Sequence, residues 1–202
     1  MNKNKSSKNW IRKQHNDPFF KKSKLEGYRS RSAFKLIEMD KKFKFLNKNT
    51  NLLDLGSSPG GWSQVVSKKV TKGKILAIDT KPMAKVNNVN FLQKDMNDEF
   101  ILEKINLYFQ KKIDVVLSDM AVNTSGNKDL DSYNTGKLCL AGMEVSRKIL
   151  NTNGVFVSKL FMGPVFSEIK EKAQKYFKKV VKFKPGASRQ ESREIYIYCK
   201  GL

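Results

Sequence analysis

The sequence predicts an α/β fold, a doubly wound and mostly parallel sheet of seven strands with helices on both faces and an antiparallel hairpin at one edge. Three observations carry this. Short apolar strands alternate with stretches of helical period between residues 51 and 177. A glycine-bearing turn, GSSPGG at 56–61, lies between the first apolar strand and the helix after it. The last two strands are joined by only GASRQESR, residues 186–193, which is too short for a crossover helix and requires antiparallel pairing.

Taken in order, residues 1–27 form a basic arm. Lys3, Lys5, Lys8, Arg12, Lys13, Lys21, Lys22 and Lys24 face only Asp17 and Glu26, with Trp10, Phe19 and Phe20 interleaved. That mixture suits phosphates and bases, and it equally suits a solvated arm. A helix is expected from Ser30 to Leu46, with Ala33, Phe34, Leu36, Ile37, Met39 and Phe43 on its core face. Strands are expected at 51–56, 74–79, 89–95, 113–120, 154–161, 178–185 and 193–201, and helices near 60–70, 97–110, 132–151 and 164–177. A polar loop, NTSGNKDLDSYN, follows the fourth strand. In the last strand Ile195, Ile197 and Cys199 point one way and Tyr196, Tyr198 and Lys200 the other. Glu194 opens that strand, either as a surface acid paired with Arg193 or Arg189 or as a site residue with partners elsewhere.

The charge balance narrows the partners. Forty Lys and Arg against 19 Asp and Glu give a net charge of +21. This suits a polyanion, and nucleic acid is favoured over a membrane surface because no segment joins a basic face to a long apolar one. No apolar run has the length of a membrane span, and the N-terminus lacks the apolar centre of a secretory signal, although its Lys-rich, acid-poor composition leaves an organelle transit segment open. Cys139 and Cys199 are far apart and His15 is the single histidine, so neither a zinc site nor a Cys–His nucleophile pair is expected. Reduced core thiols fit the cytoplasm.

The stretch LLDLGSSPGGWSQVV, 52–66, is the most informative. Gly56, Gly60 and Gly61 allow close backbone approach and positive φ, and the following helix start offers free N–H groups to a nucleotide-type ligand. Asp79, ending the second strand, stands where an acid accepts hydrogen bonds from ribose hydroxyls. A dinucleotide loop would need glycine at 58, where Ser58 and then Pro59 stand. The pyrophosphate cradle is broken, and S-adenosylmethionine, which has no pyrophosphate, fits better. Asp95 at the end of the third strand has two readings, a receiver of the adenine amino group or a cap for the helix after it. Trp62 likewise reads as a pocket wall or as a core aromatic.

Five motifs, YRSRSAFKL, LLDLGSSPGGWSQ, DVVLSDMAVNTSG, GVFVSKLF and SREIYIY, appear in this order between Tyr28 and Tyr198. Together they resemble the FtsJ/RrmJ family of ribosomal RNA large-subunit methyltransferases (RlmE). The resemblance implies a cytoplasmic Rossmann-like methyltransferase domain over 28–202 that carries the methyl group of S-adenosylmethionine to the ribose 2′-hydroxyl of an A-loop uridine of 23S ribosomal RNA in the large subunit, and a monomer is expected because no long apolar surface strip stands out. It also implies a catalytic set of Lys35, Asp119, Lys159 and Glu194, with Asp119 close to the cofactor as well. The chain departs from the family at Val122, which stands where the family has a proline that stiffens this loop, and the loop is expected to be mobile without RNA.

Position supports part of this set independently. Lys159 interrupts an apolar parallel strand, where a lysine is rarely only packing, although a buried ion pair with Asp119 is the competing reading. Asp119 also reads as a loop cap, and Lys35 as the solvated side of its helix. The resemblance implies that Lys159 in its neutral form takes the proton of the hydroxyl, a form favoured by burial and by the positive charges of Lys35 and the sulfonium. Asp119 would orient Lys159 and steer the sulfonium, and Glu194 would hold Lys35 or the ribose. No metal is required, because the leaving group is neutral. Transfer RNA and messenger RNA cap enzymes use the same chemistry, and a basic assembly factor without catalysis is a further reading. A nicotinamide oxidoreductase is disfavoured by Ser58 and Pro59.

Overall fold

The computed structural model describes residues 17–122 and 124–202. Lys3, Lys5, Lys8, Trp10, Arg12, Lys13 and His15 lie outside the described residues. The described part of the expected arm is folded. Helix α1, Pro18–Leu25, starts with proline at its first turn, and the Asp17 carboxylate accepts from the amides of Phe19 (3.0 Å) and Phe20 (3.2 Å). Asp17 also pairs with Arg31 and Arg189, and Phe19 packs on Phe34 with ring centroids 5.6 Å apart, which fastens α1 to the next helix.

Helix α2, Ser32–Phe43, buries Ala33, Phe34, Leu36 and Met39 as the periodicity predicted. It ends before Leu46, because Lys44 turns left-handed (φ 52°) and the Asp40 carboxylate captures the amides of Phe45 (3.1 Å) and Leu46 (2.8 Å). From there strand and helix alternate: β1 Leu52–Leu55, α3 Gly61–Lys69, β2 Ile75–Asp79, β3 Asn90–Gln93, α4 Ile101–Phe109, β4 Ile113–Ser118, α5 Lys128–Ile149, β5 Leu150–Phe161, α6 Phe166–Tyr176, β6 Lys179–Phe183 and β7 Glu194–Lys200.

The strands form one sheet in the order β3-β2-β1-β4-β5-β7-β6. Strands β1 to β5 pair in parallel, while β7 runs antiparallel to both β5 and β6. The expected hairpin is present, with β7 inserted beside β5 and β6 at the edge. One face of the sheet packs Leu53, Leu55, Phe156, Ile195 and Ile197 against α5 and α6. The other packs Leu52, Val115, Val157, Tyr196 and Tyr198 against α2 and α3. The alternation read along β7 therefore sorts its side chains correctly between the two layers. Each large aliphatic side chain buried this way contributes about 1.5–3 kcal/mol.

Two helix starts differ from the sequence reading, and β5 begins at Leu150, four residues earlier than expected. The second half of the expected polar loop is helix, because the Asn127 side chain caps the amides of Asp129 (3.0 Å) and Leu130 (3.2 Å) and two acids, Asp129 and Asp131, occupy the first turn. Helix α4 begins later than 97, since Asp95 and Asp98 first hold the amides of Asn97 and Phe100 in turns. Cys139 and Cys199 are free buried thiols, and burial pushes that of Cys139 up to about 12. Among the described residues no helix is long and apolar enough to cross a membrane.

Beneath the turn after β1 lies a buried acid with an incomplete set of partners. Asp54 is fully buried; its Oδ2 accepts from Ser63 Oγ at 2.6 Å and its Oδ1 has no partner among the described residues. Burial, aided by the charges of Asp119 and Asp79, raises its carboxyl to about 7. The folded protein thus keeps a proton that the unfolded chain releases near pH 4, so stability falls as pH rises from about 4 to 7 and the loss is complete above that. Replacing the acid by its neutral amide removes this dependence. Thermal denaturation of Asp54→Asn and the parent chain should show the difference in stability moving in the variant's favour by about 3 kcal/mol between pH 5 and pH 8. A difference independent of pH would contradict the buried, protonated acid.

Candidate active site

The parallel register brings the carboxyl ends of β1, β2, β4 and β5 to one edge. Leu55 is opposite Ile78 and Ser118, and Ser118 is opposite Ser158. Asp119 leaves β4 with its amide on the Leu55 carbonyl (3.0 Å), one position past that register, beside Lys159. Because β7 runs the other way, its first residues arrive at the same edge: Tyr196 is opposite Lys159, and Glu194 is opposite Phe161. Antiparallel insertion of β7 is therefore what delivers a carboxylate from the C-terminal strand to the catalytic side.

The turn after β1 is shaped for close approach. Gly56 has φ 72°, and a Cβ there would stand 2.7 Å from the Met120 backbone. Gly56 and Ser57 donate to the Ile78 carbonyl, and the Ser58 amide donates to Asp79 Oδ2 at 2.9 Å. Gly60, at φ 109°, passes under the Arg29 guanidinium, which reaches the carbonyls of Pro59, Ala84 and Lys85 and braces the turn against the segment after β2.

In front of this turn lies a cleft of about 420 Å³. Its walls are Leu55, Gly56, Ser58 and Pro59 from the turn, Ile78 to Lys81 at and after the end of β2, Lys94 to Asn97 after β3, and Asp119 to Val122 after β4, with Ser30, Ser32, Leu138 and Lys159 completing it. The donor set fits S-adenosylmethionine. A left-handed glycine at the β1 turn leaves room for close approach, and the carboxylates of Asp79 and Asp95 line the cleft as acceptors for the hydroxyl and amino groups such a ligand carries.

Of the residues singled out in the sequence, Gly56, Asp79, Asp95, Asp119 and Lys159 line the cleft. Gly60 and Gly61 do not line it and instead let the turn and α3 pack against Arg29 and Ser30. Asp95 lies two residues beyond the end of β3, and its Oδ1 accepts from the Asn97 amide at 2.8 Å. Trp62 is buried, with its indole N–H on the Ser32 carbonyl (2.9 Å) and its ring 5.7 Å from that of Tyr196, the core-aromatic alternative. Val122 is 39 % exposed and lines the cleft.

The four side chains that the resemblance implies as a catalytic tetrad, Lys35, Asp119, Lys159 and Glu194, form two ion pairs. Lys159, 8 % exposed, donates from Nζ to the Asp119 carbonyl at 2.6 Å and stands 3.0 Å from Asp119 Oδ1. Lys35 Nζ stands 2.6 Å from Glu194 Oε1 and 2.8 Å from Oε2. Ser188 Oγ also donates to Glu194 Oε1, at 2.9 Å. Neither the solvated-lysine reading of Lys35 nor the surface-pair reading of Glu194 matches this placement, since both side chains are nearly buried and face each other.

Tyr196, not singled out from sequence, joins the two pairs. It is wholly buried, and its hydroxyl donates to Asp119 Oδ1 at 3.1 Å. Burial first, then the charges of Asp119 and Glu194, raise its phenol well above the ordinary value, so it serves as a permanent donor. Alternation placed Tyr196 on the correct face, but only the β5–β7 register reveals that this face meets Lys159.

The family model for FtsJ-like methyltransferases matches residues 28–202. The chain is 48 % identical to the Ribosomal RNA large subunit methyltransferase E of Pelagibacter ubique over 202 residues, all of both chains. It is 43 % identical to the protein of the same name from Rickettsia felis, across 95 % of this chain and 87 % of that one. A Plasmodium falciparum structure assigned as a ribosomal RNA methyltransferase superposes with a TM-score of 0.78 at 35 % identity, covering 87 % of this chain and 98 % of its own. With the motif order, the sheet topology and the cleft in agreement, the chain belongs to the FtsJ-like methyltransferase family.

Proposed function

We propose that this chain methylates the ribose 2′-hydroxyl of an A-loop uridine of 23S ribosomal RNA, in the large subunit, as a cytoplasmic monomer using S-adenosylmethionine. The observation that carries the reading is the contact of Lys159 with Asp119 in the cleft, backed by the buried Lys35–Glu194 pair. The shared name of the curated relatives supports ribosomal RNA, and the net charge of +21 supports a polyanionic substrate. Two free thiols support the cytoplasm.

When bound, the cofactor supplies an electrophilic methyl group on a sulfonium. Gly56, Asp79 and Asp95 are the residues that would hold it, and Asp119 and Lys159 line the same cleft. A ribose hydroxyl is a poor nucleophile until its proton is removed. Lys159 Nζ has two acceptors on Asp119, the carbonyl and the carboxylate. In the neutral amine those two take the N–H groups, which leaves the lone pair for the proton of the hydroxyl. As the proton arrives, the same two oxygens stabilise the ammonium. Tyr196 fixes the Asp119 carboxylate, while Lys35, fixed by Glu194 and Ser188, presents N–H to the ribose.

The reading is tested by offering labelled S-adenosylmethionine and large subunits lacking A-loop ribose methylation, then identifying the nucleoside by mass spectrometry. 2′-O-methyluridine from the A-loop is expected, and methylation of transfer RNA alone would overturn the target. Lys159→Ala should lower single-turnover methyl transfer by about 10²- to 10⁴-fold with cofactor affinity changed less than about twofold; near-normal turnover would remove Lys159 as the base. Tyr196→Phe deletes one donor to Asp119 and should lower kcat by about tenfold without altering cofactor binding. Unchanged kcat would show that the phenol is only packing.

A further inference from the structure

A second cavity, of about 190 Å³, opens beside the tetrad and takes no part in the chemistry above. Lys128 and Asp131 from the first turn of α5, Phe161 at the end of β5, and Glu191 and Arg193 from the segment entering β7 form its walls. Phe161 is register partner of Glu194, and it follows Lys159 by two residues, about 7 Å along a strand. The cavity thus lies about two strand residues beyond Lys159.

Its cations are unusual for this protein. Arg29, Arg31 and Arg189 are half-buried, and each has hydrogen-bond or ion-pair partners. Arg193 is half-buried too, yet its guanidinium makes no hydrogen bond or ion pair with any described residue. The neighbouring Asp131 influences it by charge from beyond ion-pair distance, and Asp131 Oδ1 is already taken by the Ser125 amide (2.7 Å) and hydroxyl (2.9 Å). Glu191 is exposed. An unpartnered guanidinium in a concave wall wants an oxyanion, and its planar fork matches a phosphate.

We propose that this cavity seats the phosphodiester next to the target ribose, with Arg193 as the main contact and Lys128 as a second cation at its rim. The assignment rests on the RNA methyl-transfer reading. Arg193 then acts in substrate binding alone, from the position just before Glu194, the first residue of β7.

The test is steady-state methylation of large subunits by the whole chain at several salt concentrations. Arg193→Gln should raise KM for the subunit by about tenfold and reduce the slope of log KM against log salt by about 1, with kcat at saturating subunit and cofactor affinity unchanged. Lys128→Gln, on an exposed side chain, should change KM and slope in the same direction and serves if the Arg193 variant loses cofactor affinity through misfolding. Lys111→Gln, near the opposite end of the sheet, should do neither. Wild-type KM and slope in the cavity variants, or an equal change in the Lys111 variant, would overturn the subsite while leaving the function standing. No methyl transfer to subunits by the parent chain would overturn the function, and the subsite with it.

Discussion

A lysine and an aspartate delivered by adjacent parallel strands meet at 3.0 Å, and the site is organised around that contact. Neither side chain is solvated enough to stand alone. Removing one partner of a buried pair costs about 3–5 kcal/mol because the other charge is left uncompensated. The contact is therefore a constraint on the whole sheet edge: β4 and β5 must keep their register, Asp119 must turn out of β4 with its amide on Leu55, and β7 must pack its tyrosine opposite Lys159. Under the proposed mechanism the same contact has to serve Lys159 both as amine and as ammonium. The additional donor from Tyr196 draws on the carboxylate, and the carbonyl of Asp119 offers Lys159 an acceptor that carries no formal charge.

The fold resolves its polar burial unevenly. Structural acids are satisfied: Asp17 caps α1 and pairs with two arginines, and Asp40 closes α2 while pairing with Lys69. Near the cleft, satisfaction is incomplete. Asp54 keeps an unpartnered oxygen below the β1 turn and Ser57 an unpartnered hydroxyl in it, and away from the turn Arg31 keeps an unpartnered Nε among the described residues. Unpaired buried polar groups carry an energetic cost, which is tolerated where a ligand or a reaction uses them.

Much of this is legible in residue order. The strand–helix alternation and the short link before β7 specify the parallel sheet and the antiparallel last strand, and GSSPGG specifies the tight turn beneath a ligand. The interruption of the apolar run GVFVSKLF marks Lys159 as a residue with more than a packing role. What stays hidden depends on register or on side-chain capture of the backbone. Lys35 reads as solvated until Glu194, 159 positions away, arrives opposite it. Tyr196 reads as an ordinary core aromatic until β7 is laid against β5. The starts of α4 and α5 and the end of α2 shift because Asp98, Asn127 and Asp40 compete for amides, a local chemistry that hydrophobic period does not report.

The central claim is that Lys159, held by Asp119, removes the proton of the ribose hydroxyl. The most direct measurement is the pH dependence of the single-turnover rate at saturating RNA and cofactor, for the parent chain and for Lys159→Ala. The account requires a rate that climbs about tenfold per pH unit on the acid side and levels off once the amine is free, with a low and flat profile in the variant. The same rising limb in the variant would place the base elsewhere and contradict the account.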